Sequence, residues 1–128
     1  MAFNQESTYA KEIYEINGAV YEVYRQLGFG FVESVYQECL EREFIHRSIV
    51  YESQKQLNIF YRGEKLLQYF RADFICYGKI ILEVKAVDKI APEHFVQVRN
   101  YIKSTGYDFG LIVNFGSYPK AVTRSVVL

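Results

Sequence analysis

The chain is expected to fold as an α/β domain, with a mixed sheet of about four or five strands flanked by helices. Two patterns carry that expectation. Apolar residues recur at helical spacing up to about residue 47, and strand-like patterning takes over from Ile49. One further helical stretch then interrupts the strands, giving the order ααβββαββ. Composition agrees: half of the 128 residues are apolar and 17% are aromatic, enough for a sizeable core in a single domain over residues 1–128.

Ser7 or Thr8 is placed to cap the first helix, with Glu12 early in it. Ile13, Ile16, Val20, Val23, Tyr24 and Leu27 form its apolar face, and Gly28 is placed to end it. After the link "GFG", a second helix runs to about Arg47, with Val32, Val35, Tyr36, Cys39, Leu40 and Phe44 as its apolar face. "IVYESQKQLNIFYR", "LLQYFRADFICY" and "KIILEVKAV" read as a β-meander, turning at Arg62-Gly63-Glu64 and around Gly78. Pro92 suits the first turn of a helix reaching about Ser104, which Thr105-Gly106 ends. "DFGLIVNFG" has the apolar run of a buried strand, and "AVTRSVVL" reads as an edge strand.

Formal net charge is zero, so global charge lends nucleic-acid binding no support and leaves only local basic patches. Cys39 and Cys76 form no CxxC or CxxH cluster and read as buried free thiols rather than zinc or iron–sulfur ligands. The start "MAFNQESTYAKEIYE" is polar and acidic, unlike a signal peptide, and no apolar run approaches membrane-spanning length. The expectation is a cytoplasmic protein with no membrane association.

Chemistry concentrates around "IILEVKAV", residues 80–87. Glu83 and Lys85 alternate, so they share one face of a strand. If Tyr77-Gly78-Lys79 is the hairpin loop, Cys76 pairs with Ile80 and Asp73 falls opposite Glu83, about 5 Å away. A two-residue loop would shift that register by one. Two adjacent carboxylates resist ionising together, and a divalent cation removes the conflict. Mg²⁺ takes carboxylate oxygens while keeping waters, and a neighbouring lysine stabilises phosphoryl charge or orients the attacking water. The plainer reading is that Glu and Lys alternate on any half-exposed antiparallel strand.

Asp73, Glu83 and Lys85 across a hairpin resemble the signature of the PD-(D/E)xK nuclease superfamily. "GFVESVY", Gly30 to Tyr36, is similar to the G-x-x-E-x-x-Y signature of the GxxExxY protein family, a branch of it. "QVRNY", Gln97 to Tyr101, resembles the Q-x-x-x-Y element of RecB-like members, and "GLIVNFG" resembles the strand that closes the family's core. Together these motifs span residues 15–116. The name's proline is replaced by Ala72. The resemblance implies a restriction-endonuclease-like α/β/α sandwich with a mixed central sheet. It implies Asp73 and Glu83 as metal ligands and Lys85 as the catalytic lysine. Glu33 would complete the metal site or orient its water, and Gln97 would contribute from the following helix with Tyr101 supporting it. The cofactor would be Mg²⁺ (or Mn²⁺) and the substrate DNA or RNA.

Other residues are weighed beside these. Glu33 and Gln97 also suit solvated helix faces. Tyr36 and Tyr101 read as core aromatics with hydrogen-bonded hydroxyls. His94, one turn before Gln97, faces the same site or plays a structural part, and His46 suits a helix end. Arg62, Lys65, Arg71, Lys89, Arg99 and Lys103 are candidates for phosphate contacts or plain surface charges. The expected activity is metal-dependent phosphodiester hydrolysis. The alternative is a catalytically silent nucleic-acid-binding or assembly module with the same fold. In either case, the alternating valines of "VTRSVVL" would allow a second copy to pair there as a homodimer.

Overall fold

The structure is a computed structural model that describes residues 8–128. Helix α1 (Ala10–Leu27) and helix α2 (Glu33–His46) precede β1 (Tyr51–Tyr61), β2 (Glu64–Cys76) and β3 (Ile80–Lys85). Helix α3 (Pro92–Thr105), β4 (Phe109–Asn114) and β5 (Val122–Val126) complete the expected order. The five strands lie side by side in chain order. Only β3 and β4 run parallel, in register from Ile80↔Phe109 to Lys85↔Asn114, and α3 is the crossover that joins them.

Two cores sandwich the sheet. Phe74, Cys76, Ile80, Leu82 and Val84 point toward α1 and α2, where they meet Ile16, Val20, Tyr36, Leu40 and Phe44. Ile75, Ile81 and Ile112 point the other way, onto Val98, Tyr101 and Ile102 of α3. Helix α3 sits close on that side: a Cβ added at Gly110 would come within 2.6 Å of Val98 Cγ1. Glycine there lets α3 approach β4.

Several boundaries differ from the sequence reading. Ser7 lies outside the described residues, and Thr8 is not at the cap: α1 begins after Tyr9 without a side-chain cap. Val32 is not on the buried face of α2 but precedes its first turn, 66% exposed. Cys39 is only half-buried, whereas Cys76 is buried in apolar surroundings that push its thiol up to about 12. The first hairpin turns on Arg62-Gly63 alone, both at positive φ, and Glu64 already belongs to β2. The second turns on Tyr77-Gly78-Lys79, with Cys76 paired to Ile80. No described helix is long and apolar enough to cross a membrane.

Candidate active site

The site begins where the sheet loses its alternation. In β2, Phe70 and Ala72 face α3, yet Phe74 and Cys76, at the same parity, face α1 and α2. In β1, Tyr51 and Leu57 show the same reversal. The change falls at Asp73 and its neighbour Gln54. Gln54 lies between the pairs Ser53↔Phe74 and Lys55↔Ala72 and has a φ of 53°, an unusual left-handed conformation for glutamine. Gln54 Nε2 donates to Asp73 Oδ1 (3.3 Å), and Gln37 Nε2 of α2 donates to the Asp73 carbonyl (3.2 Å).

Pairing between β2 and β3 stops at the same place. Its last ladder partners are Phe74↔Leu82. Beyond them the Asp73 side chain takes over, with Oδ2 accepting from the Val84 amide at 2.8 Å. The two strands therefore part next to Asp73 and Glu83. Glu83 alternates onto the α3 face, where it is 4% exposed, and its Oε1 is buried without a hydrogen-bond partner. Burial, and then the negative charge of Asp73, push the Glu83 carboxyl up to about 9, against a smaller downward pull from Lys85.

Lys85 is half-buried at the end of β3, and its Nζ donates to Gln97 Oε1 of α3 at 3.1 Å. Tyr101, one turn on, packs on Phe70 with ring centroids 4.2 Å apart. Burial, and then the Glu83 charge, push its hydroxyl up to about 12, while a contact with Gln97 opposes the shift. Glu83, Lys85, Gln97 and Tyr101 thus form one group between β3 and α3. Glu33 stands on the other side, exposed at the first position of α2. There it lines a cleft of about 220 Å³ with Ser34, Gln37, Gln54, Asp73 and Val84. Asp73 lines that cleft, and its charge also reaches Glu83 and Tyr101 of the first group.

The remaining candidates sit at the margins. Tyr36 is fully buried against Phe115, with centroids 4.3 Å apart and rings within 5° of parallel. Its hydroxyl donates to the Gly28 carbonyl (2.6 Å) and accepts from the Phe31 amide (3.3 Å). It thereby fixes the link that leads into Glu33, and Gly30 turns that link at a φ of 108°. His94 does not reach into the carboxylate–lysine group through Nδ1, which accepts from the Ala91 amide at 2.9 Å and caps α3. Ala91 has no side-chain acceptor, so this is half of a capping box. His46 is exposed at the end of α2, and the six basic candidates for phosphate contacts are all exposed.

Sequence reasoning missed Gln37, Gln54 and Asn114. Gln37 follows Glu33 by one helical turn, a spacing that shares a face. Asn114 was legible as the one polar residue inside a buried apolar strand. It is fully buried, and its Oδ1 accepts from Val87 (3.0 Å) and Gly116 (3.0 Å) while Nδ2 donates to the Val87 carbonyl (2.8 Å). With Phe115 N donating to the Lys85 carbonyl (2.8 Å), it ties down the chain just after the lysine.

This split hairpin, with its carboxylates and lysine, can be set beside known proteins. The family model of the PD-(D/E)XK nuclease superfamily matches residues 10–126. The chain belongs to that superfamily. Its fold is likewise similar to a solved structure, "Crystal structure of SSO0001", at a TM-score of 0.56 and 21% identity. That match covers 96% of this chain but 61% of the other, so the chain spans less than two thirds of that protein's length. No curated protein matches. PD-(D/E)XK nucleases generally use divalent metals. Among the described residues no cluster of three or more His, Cys, Asp or Glu side chains is placed to hold one. The donor set nevertheless fits a hard cation. Mg²⁺ takes one or two carboxylates and keeps its waters, and the orphaned Glu83 oxygen is a ligand atom in want of a partner.

Proposed function

We propose that the protein is a metal-dependent nuclease that hydrolyses phosphodiester bonds of DNA or RNA. The observation that supports this best is the buried, unpartnered Glu83 oxygen beside Asp73, where β2 and β3 part. Leaving a carboxyl oxygen without a partner in the core is costly unless something binds there. Asp73 and Glu83 would hold Mg²⁺ or Mn²⁺, which when bound supplies Lewis acidity and an acidified water. Glu33, across the cleft from Asp73, would orient or deprotonate that water. Lys85 would stabilise charge on the phosphoryl oxygens, with Gln97 setting the direction of its ammonium. Tyr101 packs behind Gln97, and His94 caps the helix that carries both. Gly30, Glu33 and Tyr36 support placing the chain in the GxxExxY branch. The free thiols suit a reducing cytoplasm.

The test is cleavage of labelled single-stranded and duplex DNA and RNA with Mg²⁺ or Mn²⁺. Activity lost in EDTA and reduced at least about a hundredfold in Glu83→Ala and Lys85→Ala supports the reading. A protein that cuts nothing, with any cation, overturns it. The burial of Glu83 beside Asp73 favours the silent module instead: both push the metal-free carboxyl upward, against the ionised form a ligand needs. On that reading nucleic acid binds in a salt-dependent way, without turnover and indifferent to EDTA. Among the described residues no strand pairs with the outer edge of β5, which supports pairing with a second copy. Size-exclusion chromatography decides that point.

A further inference from the structure

Three large aromatic side chains stand in solvent around the link that leads into Glu33. Phe29 is 54% exposed, Phe31 46% and Tyr118 76%. They come from two segments distant in sequence, the link before α2 and the loop after β4. Phe29 and Tyr118 meet with ring centroids 5.3 Å apart. Phe31 meets the buried Tyr36 edge-on at 6.1 Å, and Tyr36 is itself stacked on Phe115. The second segment is anchored by Tyr24, whose hydroxyl donates to the Ser117 carbonyl at 2.7 Å. The rings are therefore held from beneath and open above.

We propose that Phe29, Phe31 and Tyr118 form a stacking platform for unpaired nucleobases, so that the substrate class is single-stranded nucleic acid. The proposal rests on the nuclease reading, because it names the substrate of that same site. Glu33, which lines the cleft, lies two residues beyond Phe31, so the platform adjoins the segment that leads into the cleft. A single strand exposes the flat faces of its bases and a duplex hides them. Charge matches as well. Ser117, next to Tyr118, also lines a neighbouring cleft carrying the exposed cations Lys89 and Arg124 against one acid, Asp88. Bases on the rings and phosphates against those cations describe a strand crossing the end of the sheet where Lys85 lies.

The experiment reads binding without turnover. Fluorescence anisotropy in EDTA compares a labelled 20-nucleotide DNA strand, the matching RNA strand, an abasic DNA strand of equal charge and a DNA duplex. Either single strand should bind about tenfold or more tightly than the abasic strand and the duplex. The double variant Phe29→Ala/Tyr118→Ala should lose about tenfold or more on the single strand and nothing on the abasic one. Phe29→Tyr/Tyr118→Phe should bind as the natural protein does, which separates stacking from a folding defect. Equal affinity for abasic and normal strands overturns the platform, as does an unaffected alanine variant or binding to none of the four. A protein that binds single strands through the rings yet cuts nothing overturns only the nuclease reading. One that cuts duplexes and ignores the alanine changes overturns only the platform.

Discussion

The Asp73 carboxylate receives the amide of Val84 at 2.8 Å, just beyond the last ladder pair of β2 and β3. A side chain has replaced a backbone acceptor, and the strands are free to separate around two acids. Asp73→Ala leaves that amide without its acceptor and is expected to cost about 1–3 kcal/mol of stability. Asp73→Asn keeps an acceptor oxygen and should recover most of the loss while still removing a metal-ligating charge. Urea unfolding of the two variants, paired with a cleavage assay, separates the structural part from the chemical one. Equal stability of Asp73→Ala and the natural protein would contradict this assignment.

Glu83 gives a pH signature. Its carboxyl is raised from an ordinary value near 4.5 to about 9 in the folded protein. Between those values the folded state holds a proton that the unfolded chain has released. Its contribution to stability without metal is therefore full below about 4.5 and is lost as pH rises toward 9. Melting in EDTA across that range should show the decline, and Glu83→Gln should flatten it. Added Mg²⁺ or Mn²⁺ should raise the melting temperature more at the alkaline end, where the carboxylate is easier to ionise. A melting temperature that climbs with pH in EDTA, and does so only when Glu83 is present, would reverse the sign argued here.

Tyr36 links the core to the cleft. Its hydroxyl bonds to both sides of the turn that delivers Glu33. Tyr36→Phe keeps the stacking on Phe115 and loses those bonds, at an expected cost of about 1–2 kcal/mol. If the turn positions Glu33, cleavage should fall further than stability explains, at temperatures well below melting. A variant that loses stability and keeps full kcat would make Tyr36 a core residue only.

How much of this could be read beforehand differs by level. The helix–strand order and the Tyr77-Gly78-Lys79 loop were legible because each has a local signal, an apolar period or a turn residue. Asp73, Glu83 and Lys85 stood out because acids and a lysine interrupt greasy strands. The reversal at Gln54 and Asp73 was not legible. It depends on one backbone angle that no residue type there demands, and glutamine is an unusual occupant of it. Nor did spacing show that Lys85 takes Gln97 while Glu33 faces Asp73, since that division follows from which helix covers which face. Val32 misled because it keeps helical spacing one residue before the helix starts.

Gly116 tests the support behind the lysine. A Cβ there would fall 2.3 Å from the Val87 carbonyl oxygen and 2.5 Å from its nitrogen, which are backbone atoms that cannot swing aside. Gly116→Ala should force apart the contacts that Asn114 makes with Val87, costing about 1–3 kcal/mol. It should also reduce cleavage by displacing Lys85. Thermal melts and single-turnover rates check both effects, and an unchanged melting temperature would count against the close packing described here.

The central claim is that Asp73 and Glu83 together hold a divalent cation. Crystals soaked in Mn²⁺ test it most directly. The account predicts an anomalous peak within bonding distance of both carboxylates, absent in crystals of Glu83→Ala. Fully active protein whose Mn²⁺ binds elsewhere, or leaves no peak between these two residues, would contradict it.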